Sequence, residues 1–255
     1  MTPALALENA AVRRNGRLVL AEASVAVAPG EILGVVGANG AGKTTLLRAA
    51  LGLAHLEAGD AKLAGRPVRG MAEAVRASLA AYLPQERRVG WNLPAWRVAS
   101  LGAFQRPPAE ARARAFEALR RVGLAGLEHR GVLDMSGGER GRTLLARLLA
   151  AAAPLLVADE PAAGLDPDAQ LLALELFQQE ADRGAAVILT LHDLSLAARA
   201  CHRVVVLHDG RVVADAPPRQ ALTPTVLAQA FSLEGRLSET ETGPMVVARR
   251  RTRET

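Results

Sequence analysis

Gly37-Ala38-Asn39-Gly40-Ala41-Gly42-Lys43-Thr44 fits the pattern G-x-x-x-x-G-K-[ST], and its flanks decide what kind of turn it is. Glu31-Ile32-Leu33-Gly34-Val35-Val36, just before it, is a short apolar run that reads as a buried strand. Thr44-Thr45-Leu46-Leu47-Arg48-Ala49-Ala50-Leu51 continues as a helix. The glycines between let the backbone turn sharply and approach a ligand closely. Successive N–H groups can then surround an anion, and the helix N-terminus adds a partial positive charge. Lys43 is placed to reach the β- and γ-phosphates of a nucleotide, and Thr44 to give its hydroxyl to Mg²⁺. A strand-to-helix turn with no ligand would bury the Lys43 charge at a cost and without purpose.

Two more strand ends carry matching chemistry. Leu155-Leu156-Val157-Ala158 reads as a second buried strand and runs into Asp159-Glu160-Pro161. Two adjacent carboxylates there are unfavourable unless a cation sits beside them. Asp159 is expected to hold Mg²⁺ through water, and Glu160 to orient or deprotonate an attacking water. Val187-Ile188-Leu189-Thr190-Leu191 is a third strand, with His192-Asp193 at its end. Separately, Ser136 suits the N-cap of an apolar helix over Thr143–Ala153, with Glu139 three residues on as in a capping box. The same arrangement makes an anion site at a helix N-terminus.

Met135-Ser136-Gly137-Gly138-Glu139 is close to the LSGGE signature of ABC ATPases, with Met in place of Leu. With the phosphate loop, the Asp-Glu pair and the downstream His, it makes the chain resemble the ATPase subunit of an ABC transporter from about Leu5 to about Leu233. The resemblance implies an α/β fold: a P-loop NTPase (RecA-like) core with an antiparallel β subdomain and a helical subdomain carrying the signature. It also implies ATP and Mg²⁺ as ligands. His192 then contacts the γ-phosphate and senses its loss. Gln85, in Tyr82-Leu83-Pro84-Gln85, matches the family's Q-loop and touches Mg²⁺ or the lytic water. Ser136, Gly137 and Gly138 bind the γ-phosphate of ATP held by the opposite subunit, so that two chains associate head-to-tail around two ATP sites. Gly164-Leu165-Asp166-Pro167 resembles the D-loop that lines that contact, which makes Asp166 a further site residue.

Two positions depart from the family pattern. An aromatic residue usually stacks on adenine near the start of such chains; here Arg14 stands at the matching place and no aromatic precedes Tyr82. A guanidinium plane can stack on a base, so loose base recognition, with GTP accepted nearly as well as ATP, is expected. Gly141 stands where a longer polar residue is usual, and a Gly in a helix costs up to about 1 kcal/mol relative to Ala.

Composition sets the limits. Half of the 255 residues are apolar and only 3% are aromatic, so a sizeable aliphatic core is expected. The net charge of +5 owes much to Arg249, Arg250, Arg251 and Arg253, which weakens any nucleic-acid reading and suggests a disordered tail near acidic lipid headgroups. One cysteine, Cys201, permits no internal disulfide and suits a reducing compartment. No secretory signal pattern opens the chain. The longest uncharged apolar run, Leu148–Ala158, has 11 residues including a Pro, whereas a membrane span needs about 20. A soluble chain is expected, one that must borrow a membrane partner if it transports.

The expected organisation is one ABC ATPase domain over residues 1–233, with a tail over 234–255. Its core covers about 1–85 and 154–233, and its helical subdomain about 86–153. Val89-Gly90-Trp91-Asn92-Leu93-Pro94-Ala95-Trp96 holds both tryptophans, and exposed aromatics mark partner sites; in the family this region receives the permease's coupling helix. The layout looks most like importers of iron-siderophores, haem or cobalamin, which work with a separate permease and a substrate-binding protein at the cytoplasmic face of the membrane. A metal-ion or other small-solute importer is the alternative. A repair-type ATPase fits poorly, because only 92 positions separate Thr44 from Ser136 and leave no room for a long coiled coil. A translation-type ATPase carries two cassettes, and this chain has one.

Overall fold

The computed structural model describes residues 2–86 and 89–251. Two antiparallel strands open it, β1 (Leu5–Arg14) and β2 (Arg17–Val27). Between them Asn15 (φ 49°) and Gly16 (φ 77°) take left-handed conformations, the geometry that an Asn-Gly hairpin turn supplies. Next come β3 (Ile32–Gly37) and helix α1 (Lys43–Ala50), the strand and helix expected around the phosphate loop. Strands β4 (Ala58–Leu63) and β5 (Arg66–Pro67) join the opening pair in a sheet of order β2-β1-β4-β5. Helix α2 (Glu73–Leu79) then leads into β6 (Ala80–Leu83).

Three helices follow, α3 (Ala95–Ser100), α4 (Pro108–Arg121) and α5 (Gly137–Ala150). The turn that follows α3 packs tightly on α5: a Cβ on Gly102 would lie 1.9 Å from the Arg147 carbonyl oxygen. Helix α5 starts six residues earlier than the apolar run alone suggested, because the Ser136 cap and Glu139 close its first turn. Gly141 is buried on it.

The chain then returns to the main sheet through β7 (Leu155–Asp159), α6 (Pro167–Asp182), β8 (Ala186–Thr190), α7 (Leu194–Ala200), β9 (Arg203–His208) and β10 (Arg211–Ala216). The order is β10-β9-β3-β8-β7-β6, parallel except for the edge strand β10. Every residue of β3, β7 and β8 is buried, as expected of parallel strands covered on both faces. One apolar cluster lies between this sheet and the antiparallel one, around α1. The other joins the sheet's opposite face to α3, α4, α5 and α6, with Phe177 at its heart. Arg121 on α4 is bound to the buried Glu180 on α6 at 2.7 Å, tying the three-helix segment to the core.

After the short α8 (Pro218–Ala221) and α9 (Pro224–Phe231), the structure departs from expectation. Residues 233–250 are not a disordered tail. They form a hairpin of β11 (Leu233–Thr240) and β12 (Gly243–Arg250), paired in full register. Leu233, Leu237 and Val246 point into the main core, and Arg249 is paired with Glu234 across the strands at 3.0 Å. The hairpin is held to α7, where the Ser195 hydroxyl accepts from Val246 N–H at 3.0 Å and Arg199 donates to the Pro244 carbonyl at 3.1 Å. The run of arginines concealed a two-residue apolar alternation. Arg253 lies outside the described residues. Among the described residues no helix is long and apolar enough to cross a membrane.

Candidate functional site

The carboxyl ends of β3, β7 and β8 converge, as ligand sites do in open parallel sheets. There a pocket is lined by residues 39–45 together with Arg14, Val19, Gln85, Glu160 and His192. Backbone shape makes the loop possible. Gly42 sits at φ 106° directly before α1, where a Cβ would press on Leu20 and the Val19 carbonyl at 3.0 Å. A Cβ on Gly37 would lie 2.4 Å from the Leu207 carbonyl oxygen. The β9–β10 turn braces the loop from behind, with Gly210 N–H donating to the Ala41 carbonyl at 3.2 Å.

Lys43 folds back over this turn, its ammonium donating to the Gly37 and Ala38 carbonyls at 2.9 and 3.3 Å. Burial lowers its pKa below the ordinary lysine value, and the negative charges of Glu160 and Asp159 oppose that shift only in part. The ammonium is thus held short of counter-charge and is suited to an incoming phosphate.

The acidic side is built around a residue that sequence reading passed over. Thr190, last in β8 and fully buried, donates its hydroxyl to Asp159 Oδ1 at 2.6 Å and accepts from Glu160 N–H at 2.7 Å. Its only sequence signal is a hydroxyl at the end of an otherwise apolar strand. Asp159 is itself fully buried, and among the described residues its Oδ2 has no hydrogen-bond partner. Glu160 takes a left-handed backbone (φ 54°), costly for a residue with a side chain and characteristic of functional positions. Its Oε1 lies 2.5 Å from His192 Nε2. Tyr82, two residues before Pro84, is a second contributor that the sequence did not flag. Its hydroxyl pKa is pushed up to about 12, first by burial and then by the Asp159 charge.

Ser136, Gly137, Gly138 and Asp166 stand apart from this pocket. Ser136 caps α5 in a capping box, with Glu139 N–H donating to its hydroxyl at 3.2 Å and its own N–H donating to the Glu139 carboxylate at 2.8 Å. Beyond Gly137 and Gly138 there is open space where a side chain would be. Asp166 caps α6 through Ala169 N–H at 2.9 Å.

The two tryptophans part company. Trp91 is 76% exposed, whereas Trp96 packs on Phe116 with ring centroids 6.3 Å apart and lies beneath the guanidinium of Arg112 at 5.1 Å. A separate apolar groove of about 490 Å³ is lined by Leu51, Leu53, Arg76, Ala77, Tyr82 and Phe104 among others.

Residues 20–163, more than half of the chain, match the family described as "ABC transporter". The chain belongs to the ABC transporter family. As its member, this chain is an ATPase that binds ATP. Among curated relatives, the hemin import ATP-binding protein HmuV of Pseudomonas fluorescens (strain Pf0-1) is 40% identical over 256 residues, covering 96% of this chain and all of the relative. The cobalamin import ATP-binding protein BtuD of Halobacterium salinarum (strain ATCC 29341 / DSM 671 / R1) is 41% identical over 224 residues, covering 85% of this chain and 56% of the relative. A solved ATP-binding subunit of an ABC transporter superposes with a TM-score of 0.77 at 28% identity, over 84% of this chain and 89% of that one. In this ABC transporter ATPase, residues 39–45 of the P-loop NTPase core line the pocket, and the Ser136-Gly137-Gly138 start of α5 is not part of its lining.

Proposed function

We propose that this chain powers the import of haem through a separate membrane permease, working at the cytoplasmic face of the membrane. The observation that carries this is end-to-end likeness to a hemin import ATP-binding protein at 40% identity. Cobalamin is the second cargo, favoured by the likeness to a cobalamin import protein of which this chain spans about half the length; an iron chelate is the third.

In the proposed reaction, the triphosphate of ATP lies on residues 37–45, with backbone N–H groups and Lys43 holding its β- and γ-phosphates. Glu160 receives a proton from the attacking water, whose oxygen bonds to the γ-phosphorus. The bond to the β–γ bridging oxygen breaks, giving ADP and inorganic phosphate. His192 holds the Glu160 carboxylate in place before ATP arrives and meets the γ-phosphate afterwards. Gln85 lies on the same pocket wall, where it can follow the change.

The residues present fit Mg²⁺. Asp159 keeps a buried carboxylate oxygen without a partner among the described residues, and Thr44 and Gln85 add two neutral oxygens at the pocket. Among the described residues no cluster of three or more His, Cys, Asp or Glu could hold a metal alone. Few protein oxygens plus substrate phosphates is the usual Mg²⁺ arrangement. Thr44, Gln85 and Asp159 would hold the ion, which when bound would draw charge from the phosphate oxygens.

Ser136, Gly137, Gly138 and Asp166 are assigned to the partner's nucleotide in a head-to-tail dimer. Ser136, Gly137 and Asp166 are exposed, both glycines have open space beside them, and none of the four lines the chain's own pocket, which supports this. The groove that Phe104 lines and the exposed Trp91 are assigned to the permease.

The test is to purify the full chain gently from its own cells and identify what accompanies it. A multi-span permease and a substrate-binding protein that takes haem in preference to ferric chelates and cobalamin are expected. A binding protein specific for one of the other ligands overturns the haem assignment, and ribosomes or DNA ends in its place overturn transport.

A further inference from the structure

Phosphate chemistry accounts for most of the nucleotide pocket wall. Residues 39–45 face the phosphates, while Gln85, Glu160 and His192 face the end where water must attack. Among the described residues that line the pocket, Arg14 and Val19 remain to meet the base. This step rests on the reading of the pocket as a nucleotide site.

Arg14 is the last residue of β1, fixed opposite Arg17 directly before the Asn15-Gly16 turn. Its side chain is exposed, and among the described residues no hydrogen bond or ion pair holds it. Val19 offers an apolar contact that any base satisfies. The discriminating group is therefore a guanidinium, which has five N–H donors and no acceptor. Guanine presents two acceptors side by side, N7 and O6, to such a fork; adenine presents one acceptor beside an amino donor. Stacking of the guanidinium plane favours neither purine. A donor-only partner at the base edge thus has one good match, and it is guanine.

We propose that Arg14 sets base selection at this site and gives guanine nucleotides at least parity with ATP. Recognition acts through O6 and N7, so the 2-amino group of guanine is immaterial and inosine nucleotides behave like guanine ones. The contact is solvent-exposed, so its advantage falls at the low end for a bidentate pair, on the order of fivefold.

The test is equilibrium binding of ATP, GTP and ITP to the full-length chain and to its R14A variant, with Mg²⁺-dependent hydrolysis measured alongside. GTP and ITP are expected to bind alike and at least as tightly as ATP, and R14A to weaken both about fivefold more than it weakens ATP. ATP binding tenfold tighter than GTP, or an unchanged GTP-to-ATP ratio in R14A, overturns the role of Arg14. Binding of none of the three overturns the nucleotide-site reading itself, a separate failure. Arg14 is an exposed hairpin residue, so R14A leaves the fold intact, which its melting temperature checks.

Discussion

His192 Nε2 and Glu160 Oε1 lie 2.5 Å apart, although the two residues stand 32 positions apart and follow different strands of the parallel sheet. Glu160 is mostly buried at the end of β7, and His192 is about half exposed beyond β8. The histidine thus fixes the carboxylate at the pocket wall while still facing solvent. E160Q keeps the shape and one hydrogen-bonding oxygen but removes the base. Hydrolysis is expected to slow about 10²- to 10⁴-fold, with ATP binding retained. Unchanged turnover in a steady-state phosphate-release assay would remove Glu160 from the chemistry.

Thr190 joins the two carboxylate residues from below. T190V keeps the volume and strand preference but removes the hydroxyl that donates to Asp159 Oδ1 and accepts from Glu160 N–H. Leaving buried groups unpaired costs about 1–3 kcal/mol each. The expected outcome is a lower melting temperature together with weaker Mg²⁺ dependence of turnover; a wild-type melting curve would refute the bridging role.

These two residues show what the sequence could reveal and where it stopped. The phosphate loop, Asp159-Glu160 and His192 were legible because each ends an apolar run, and strand ends of a parallel sheet meet at one place. Thr190 was hidden because a threonine fits a buried strand on propensity alone; only the pairing of β7 with β8, which sets Asp159 opposite Thr190, gives it a task. The closing hairpin was missed for a different reason. Its arginines mask its alternation, and β12 is anchored on α7, where Val246 meets Ser195 across 51 positions of sequence. That Trp91 and Trp96 would part, one outward and one inward, depends on helix packing that no local pattern encodes.

Lys43 carries a pH signature. Burial sets its folded-state pKa below 10.5, so the folded chain gives up this proton before the unfolded chain does. The cost of burying the charge is therefore present at neutral pH and relieved as pH rises through the window below 10.5. Phosphate binding needs the charge, so ATP affinity is expected to fall across that same window. Titrating nucleotide binding upward from pH 8 checks this, with K43A as the control that lacks the step. A wild-type curve parallel to that of K43A would show that Lys43 does not hold the phosphates.

Ser136 tests the dimer. It is exposed beside two uncrowded glycines and away from the chain's own pocket. S136R fills that space while sparing the pocket, so hydrolysis is expected to stop while one chain still binds ATP normally. The mutant should stay monomeric with ATP in light scattering, even when made in an E160Q background that traps the wild-type pair. Loss of nucleotide binding by the isolated S136R chain would instead place the signature in the chain's own site.

Trp91 and Trp96 make a paired test of the permease surface. Trp91 is 76% exposed; removing it uncovers nothing in the core, and surface changes of this kind usually fall within about 0.5 kcal/mol. Trp96 is part of a stack with Phe116, Arg97 and Arg112, and truncating a packed tryptophan costs about 3–5 kcal/mol when it is fully buried, somewhat less at this half-buried position. W91A is therefore expected to melt with the wild type and turn over ATP as fast in isolation, yet to lose the permease in co-purification, since tryptophans dominate interface energies. W96A is expected to lower the melting temperature first. Equal permease recovery by W91A and wild type would show that the exposed ring serves no partner and that the coupling surface lies elsewhere.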